Sequence, residues 1–323
     1  MRGLVIKSTG SSYIVRMDDG TNVECHIKGN FRIRGIRSTN PVAVGDYVIV
    51  ESQKSKVEST VTVTNWITEI EDRKNYIIRK STNLSKESHI LAANVDQVAL
   101  IVTVNHPVTS TTFIDRFLAT CEAYRVRAIL IFNKIDLLTE EELAQLAELR
   151  ALYESIGYET LVISAKNLSP FTPHLSPLFE GKTTLLSGNS GVGKSTLLNA
   201  LFGKEMTRTG KISDAHDKGM HTTTFSEMYF LEEAKSQELR AKSRIIDTPG
   251  IKGFGTIDFQ KDEVSHFFPE IFRRSADCRF GDCTHTNEPG CAVIEAVEHG
   301  EIAISRYESY LSILGDCTES KYR

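Results

Sequence analysis

Gly188-Asn189-Ser190-Gly191-Val192-Gly193-Lys194-Ser195, followed by Thr196, is the stretch whose reading decides the fold. It fits the pattern G-x-x-x-x-G-K-[ST] and lies between the apolar run Thr184-Leu185-Leu186-Ser187 and a helical segment from Lys194 to Phe202. A strand, a glycine-rich turn and a helix in that order form a phosphate cradle. The glycines let the backbone wrap, and the helix N-terminus turns free N–H groups toward anionic oxygens. Lys194 adds a mobile positive charge for the β and γ phosphates, and Ser195 a hydroxyl ligand for Mg²⁺.

Downstream, the apolar Arg244-Ile245-Ile246 delivers Asp247-Thr248-Pro249-Gly250, the pattern of a second magnesium-proximal motif. Asp247 is expected to hold Mg²⁺ through water, and the Gly250 N–H to meet the γ phosphate. Between the two motifs runs a polar stretch, Met206 to Thr224, containing Gly219-Met220-His221-Thr222-Thr223-Thr224. Thr223 is the expected switch contact to Mg²⁺ and γ phosphate, although the three threonines also suit the start of a strand over Phe225 to Leu231. Ile251 stands where many nucleotide hydrolases carry a water-orienting glutamine, and isoleucine cannot do that work. His221 is therefore the candidate catalytic group, with a plain loop histidine as its rival reading.

Upstream lies the base-reading chemistry. A phosphate loop does not choose between adenine and guanine, but Asn133-Lys134-Ile135-Asp136 does. A carboxylate at Asp136 accepts from both the N1–H and the 2-amino group of guanine. Adenine lacks those donors and would leave the buried carboxylate unpaired. Lys134 can lie over the base plane, and Asn133 can bridge strands or reach the base edge. Ser164-Ala165-Lys166 would place the Ala165 N–H at guanine O6. The ligand read from these residues is GTP or GDP. The order is unusual, because the guanine motif precedes the phosphate loop.

Flanking the apolar runs are helices, as expected of a parallel α/β sheet. Gln97 to Val104, Ala128 to Phe132 and Thr160 to Ile163 read as buried strands, each motif sitting at a strand's carboxyl end. Phe113 to Tyr124 has helical spacing, and Thr139 followed by Glu140-Glu141-Glu142 opens a helix to about Ser155. The first seventy residues differ: short alternating strands, with a turn at Asp18-Asp19-Gly20, fit a small barrel of the oligonucleotide-binding type or another small β barrel. Lys28, Arg32, Arg34 and Arg37 fall there without an intervening acid, either a nucleic-acid contact or a solvated face.

Near the carboxyl end, Cys278-x4-Cys283-x-His285-x5-Cys291 offers three thiolates and an imidazole, the complement of a closed structural zinc site. A helical tail from Val293 to about Ile313 follows, and a small helical domain without much core needs such a staple. Cys25, Cys121 and Cys317 are left over as plain thiols. The bulk composition suits a soluble, cytoplasmic chain: 323 residues, net charge −4, and no apolar run of the roughly 20 residues that span a bilayer. Six cysteines in such a chain favour metal or free thiols over disulfides.

Taken together, the motif order, the small barrel before it and the Cys/His cluster after it resemble the circularly permuted, small-ribosomal-subunit-dependent GTPases of bacteria. The resemblance covers essentially the whole chain. It implies a barrel over 1–72, a permuted GTPase domain over 73–262 and a zinc-binding helical domain over 263–323. It further implies a monomer, free of membranes, whose GTP hydrolysis is stimulated by the 30S subunit late in its maturation, with 16S rRNA as a partner of the barrel. The family's switch histidine corresponds to His221. Two other classes remain to be weighed: a phosphate-loop ATPase or kinase, and a GTP-dependent RNA-binding module in which hydrolysis is incidental.

Overall fold

The computed structural model describes residues 1–9, 12–27, 41–57, 60–80, 88–168, 176–203, 226–231, 243–248 and 259–319. The chain begins with β1 (Arg2–Ser8), β2 (Tyr13–Met17), β3 (Asn22–Ile27), β4 (Tyr47–Val57) and β5 (Thr60–Ile70). Then come β6 (Tyr76–Lys80), β7 (Ser88–Ala93), β8 (Gln97–Val102), α1 (Thr111–Ala123), β9 (Arg127–Phe132), α2 (Glu140–Ile156) and β10 (Glu159–Val162). The order continues with α3 (Ser176–Phe179), β11 (Thr183–Ser187), α4 (Lys194–Phe202), β12 (Glu227–Phe230) and β13 (Arg244–Asp247). It closes with α5 (Pro269–Ser275), α6 (Ala292–Glu298) and α7 (Ile304–Glu319). Two compact units are formed, one from 1–99 and 165–255, the other from 100–164 and 256–323.

In the first unit, β1 to β5 make a barrel. Strands β1, β2 and β3 meander antiparallel, β3 runs parallel to β5, β5 pairs with β4, and β4 returns to β1. This is the closed five-stranded Greek-key route of oligonucleotide-binding barrels. Alternation drives it: Tyr13, Val15 and Met17 point inward from β2 and join Val5, Cys25, Val48, Val50 and Ile67 in the core. Gly45 has φ +96, and a Cβ there would lie 2.0 Å from the Ala93 carbonyl oxygen, so no other residue fits. The adjacent Asp46 is fully buried and receives Arg73 in a two-pronged ion pair at 2.6 and 2.7 Å. The hairpin β6–β7 follows the barrel, pairing from Tyr76 with Ala93 to Lys80 with Ser88.

The same unit holds the phosphate side of the α/β core. Strand β11 is wholly buried and lies parallel to β13. Gln97, buried at the start of β8, donates to the Leu178 carbonyl and the Thr184 hydroxyl, which ties that strand to α3 and β11. Strand β12 runs antiparallel to β13 on one side and to β1 on the other, so the sheet passes directly into the barrel.

In the second unit β9 and β10 pair in parallel. Ser110 caps α1 by accepting from the Phe113 N–H, and Thr139 and Glu142 form a reciprocal capping box on α2, the N-terminus expected from Thr139 and the acids after it. The expected continuous tail from Val293 is in fact two helices. Gly300, at φ +74, ends α6 in a Schellman motif, with Glu301 N–H bonded to the Ala296 carbonyl and Gly300 N–H to that of Val297. Val264, Phe268, Ile271, Val293, Ala296, Tyr310 and Ile313 pack a core against Ala119 of α1. Through that core runs a buried charge cluster: Arg306 of α7 donates to Asp115 of α1 and to Glu270 of α5, with its guanidinium over the Phe268 ring.

Candidate nucleotide site and metal centre

The phosphate loop starts where β11 ends. Gly188, Gly191 and Gly193 take φ values of 142, 83 and 102, a left-handed backbone that side chains resist, so the loop can only be built from glycine at these points. Val192 is buried beneath it, while Ser195 and Thr196 lie half-buried in the first turn of α4. Gly193 offers α4 no side-chain cap, which leaves the first N–H groups of the helix to the loop's interior. Lys194 folds over the loop and donates to the carbonyls of Gly188 and Asn189 at 2.5 and 2.9 Å. Burial lowers its pKa, and Asp247 offsets part of that loss.

Asp247 closes β13 beside Leu186 of β11 and is 5 % exposed. Its neighbour Thr248 donates to the Leu186 carbonyl, holding the strand end against the start of the loop. Burial pushes the Asp247 carboxyl up to about 6; the Lys194 ammonium pulls it down and the Glu227 carboxylate pushes it further up. The geometry thus provides a cation, a cradle of N–H groups and one carboxylate on neighbouring strand ends. Gly250, His221 and Thr223 lie outside the described residues, as do Ile251 and the basic stretch from Lys28 to Arg37.

The Asn133–Asp136 and Ser164–Lys166 segments follow the ends of β9 and β10. Asn133 is buried, and its N–H bonds the Val102 carbonyl. Lys134 adopts a left-handed backbone, φ 66, that sends its ammonium to the His106 carbonyl. Ile135 N–H meets the Ile163 carbonyl, and Ser164 Oγ donates to Asp136 Oδ1 at 2.6 Å. The two loops are therefore laced together. Ala165 is buried at the start of the turn Ala165–Asn167, which also contains Lys166 and packs against α4. The loop at His106 escaped the sequence reading. Asn105, which donates to Glu142 of α2, fixes it, and no local spacing announces that contact.

Cys278, Cys283, His285 and Cys291 place their ligand atoms within 4.8 Å of one another. Cys278 Sγ lies 3.6 Å from His285 Nδ1 and 3.9 Å from Cys291 Sγ, and Cys291 Sγ lies 3.5 Å from His285 Nδ1. A tetrahedron with metal–sulfur bonds near 2.3 Å has sulfur–sulfur edges of about 3.8 Å, so this cluster could hold a metal ion with little movement. Three residues outside the ligand set shape it. Glu288 accepts from the N–H groups of Thr284, Thr286 and Asn287 and from the Thr284 hydroxyl. Burial alone would raise its carboxyl, but the Thr284 and backbone hydrogen bonds bring it down to about 2. Tyr307 and Tyr310 of α7 donate to the carbonyls of His285 and Thr284 at 2.7 and 2.8 Å. Cys25 and Cys121 are buried, Cys317 bonds the Ile313 carbonyl, and none of the three is in a disulfide.

Comparison with known proteins adds the lineage. Residues 70–257 match the model of the RsgA GTPase family, and residues 2–59 match that of the RsgA N-terminal domain. The chain is 58 % identical to the small ribosomal subunit biogenesis GTPase RsgA 2 of Bacteroides thetaiotaomicron, over all of this chain and 99 % of the relative. It is 57 % identical to the protein named small ribosomal subunit biogenesis GTPase RsgA in Phocaeicola vulgatus, again over all of this chain and 99 % of that one. Among solved structures, YjeQ from Thermotoga maritima superposes with a TM-score of 0.70 at 31 % identity, covering 98 % of each chain. YloQ, described as a circularly permuted GTPase, gives 0.68 at 28 % identity and covers all of this chain and 96 % of its own.

Proposed function

The chain belongs to the RsgA GTPase family, and from that premise we propose that it hydrolyses GTP under stimulation by the small ribosomal subunit, late in that subunit's maturation. The observation that carries this reading is the pairing of a complete phosphate loop with the Asp136–Ser164 guanine motif in a chain that begins with an oligonucleotide-type barrel. The base would be read by Asn133, Lys134, Ile135 and Asp136, with Ser164, Ala165 and Lys166 closing over it. The phosphates would lie on Gly188 to Thr196, and the γ position would be sensed by Asp247 and Gly250. Ser195 and Thr223 would hold magnesium directly, Asp247 through water. When bound, the ion neutralises charge building on the β and γ oxygens. His221 would orient the attacking water, so His221→Ala should lower stimulated turnover while GTP affinity stays.

Cys278, Cys283, His285 and Cys291 suit zinc in a structural role, because four protein ligands leave no open position. The barrel over 1–72 would meet 16S rRNA, the GTPase domain would span 73–262, and the metal-bound helices 263–323; the family matches at 2–59 and 70–257 support the first two bounds. A cytoplasmic monomer suits such a role, and among the described residues no helix is long and apolar enough to cross a membrane.

Ile251, which cannot orient water, favours one second reading: a GTP-dependent RNA-binding module in which hydrolysis is incidental. Subunit release separates the two. With GTP the protein should leave the small subunit, and with a non-hydrolysable analogue it should stay. Equal release with both would favour the second reading.

A further inference from the structure

Lys7, Glu227 and Asp247 stand directly opposite one another on three adjacent strands, Lys7 with Glu227 between β1 and β12, and Glu227 with Asp247 between β12 and β13. Directly opposed residues of antiparallel strands share a face, with Cβ atoms about 4.5–5.5 Å apart. A row of one cation and two carboxylates thus crosses from the barrel to the strand end beside the phosphate loop. Lys7 Nζ lies 3.1 Å from each Glu227 oxygen, and Tyr229 Oη donates to Glu227 Oε2 at 3.3 Å. The Tyr229 ring meets Phe202 of α4 edge-on, so this is the face that carries the phosphate-loop helix.

Like charges directly opposed across a sheet repel. Here the inner carboxylate is buried and the outer one is a third exposed, with the barrel's lysine as its counter-charge. We propose that Lys7 and Glu227 are positioning residues for Asp247: the barrel's ammonium neutralises Glu227 and draws it outward, so that Asp247 keeps the place it needs beside magnesium. Strand β1 of the barrel is then a working part of the catalytic centre. The inference rests on the assignment of Asp247 to magnesium.

The test uses the full chain with Lys7→Met, Glu227→Gln, the two combined, and Asp247→Asn. The readouts are the Mg²⁺ concentration for half-maximal GTP hydrolysis and the GDP affinity in chelator. Lys7→Met should raise the Mg²⁺ requirement about two- to fivefold, the scale of a cross-strand charge pair, and leave GDP affinity in chelator unchanged. Adding Glu227→Gln should return the requirement to the wild-type value, because the repelling charge is gone. An unchanged requirement in Lys7→Met, or a double variant as impaired as the single one, overturns the inference. An unchanged requirement in Asp247→Asn overturns instead the magnesium assignment beneath it.

Discussion

Ser164 Oγ donates a 2.6 Å hydrogen bond to Asp136 Oδ1, so the plane of the carboxylate proposed to read guanine is set by the neighbouring loop before any base arrives. Preorganisation of this kind matters because a side chain already held in place loses little freedom on binding.

Substituting Asp136→Asn removes the acceptor for two guanine donors while keeping the side chain's shape. GTP affinity should fall about 10–100-fold, the worth of charge-assisted hydrogen bonds. Affinity for inosine triphosphate, which lacks the 2-amino group, should fall less. Competition binding with a fluorescent nucleotide reads both numbers.

Burial pushes the Asp247 carboxyl up to about 6, above the usual carboxylate value of about 3.9. Magnesium favours the ionised form, so Mg²⁺-dependent nucleotide binding should weaken as pH falls through about 6, and Asp247→Asn should flatten that profile. The effect on folding has the opposite direction. Between about pH 4 and 6 the unfolded chain has released this proton and the folded chain has kept it, so the group lowers stability as pH rises through that window. Calorimetric titration of binding and denaturation series at several pH values separate the two effects.

Glu288 gathers four donors around the loop of the Cys/His cluster without belonging to the four proposed ligands. Glu288→Gln keeps the size but loses acceptor capacity, and metal affinity should drop about 10–100-fold, as for other residues that orient a ligand shell. Competition with a colorimetric chelator measures it. Wild-type affinity in the variant would show that the loop holds its shape unaided.

Arg306 is 1 % exposed and serves two buried or nearly buried carboxylates, Asp115 and Glu270. Arg306→Met leaves both without their cation and should cost about 3–5 kcal/mol. The free energy of urea unfolding is the check. A loss below 1 kcal/mol would mean that water reaches the carboxylates in the variant.

Local chemistry explains what the sequence revealed. The phosphate loop was legible because three left-handed turns demand glycine at Gly188, Gly191 and Gly193, and the metal cluster because four ligands fall within fourteen residues. Helix α2 was legible from Thr139 and its acids. Long-range contacts were not. Nothing near Lys7 announces that it faces Glu227, 220 positions away, and no local pattern marks Arg306 as the partner of Asp115. The break between α6 and α7 was present in Gly300, but the apolar spacing on either side runs on as though helix continued. Gly45, whose neighbour Ala93 comes from a distant hairpin, was silent for the same reason.

Phosphate release with and without purified 30S subunits decides whether the small ribosomal subunit drives this GTPase. Turnover should be slow alone and rise on the order of 100-fold at saturating subunit, the scale at which one added transition-state contact acts. The rise should be lost in His221→Ala. Turnover that stays the same at saturating subunit would show that the small subunit does not drive hydrolysis.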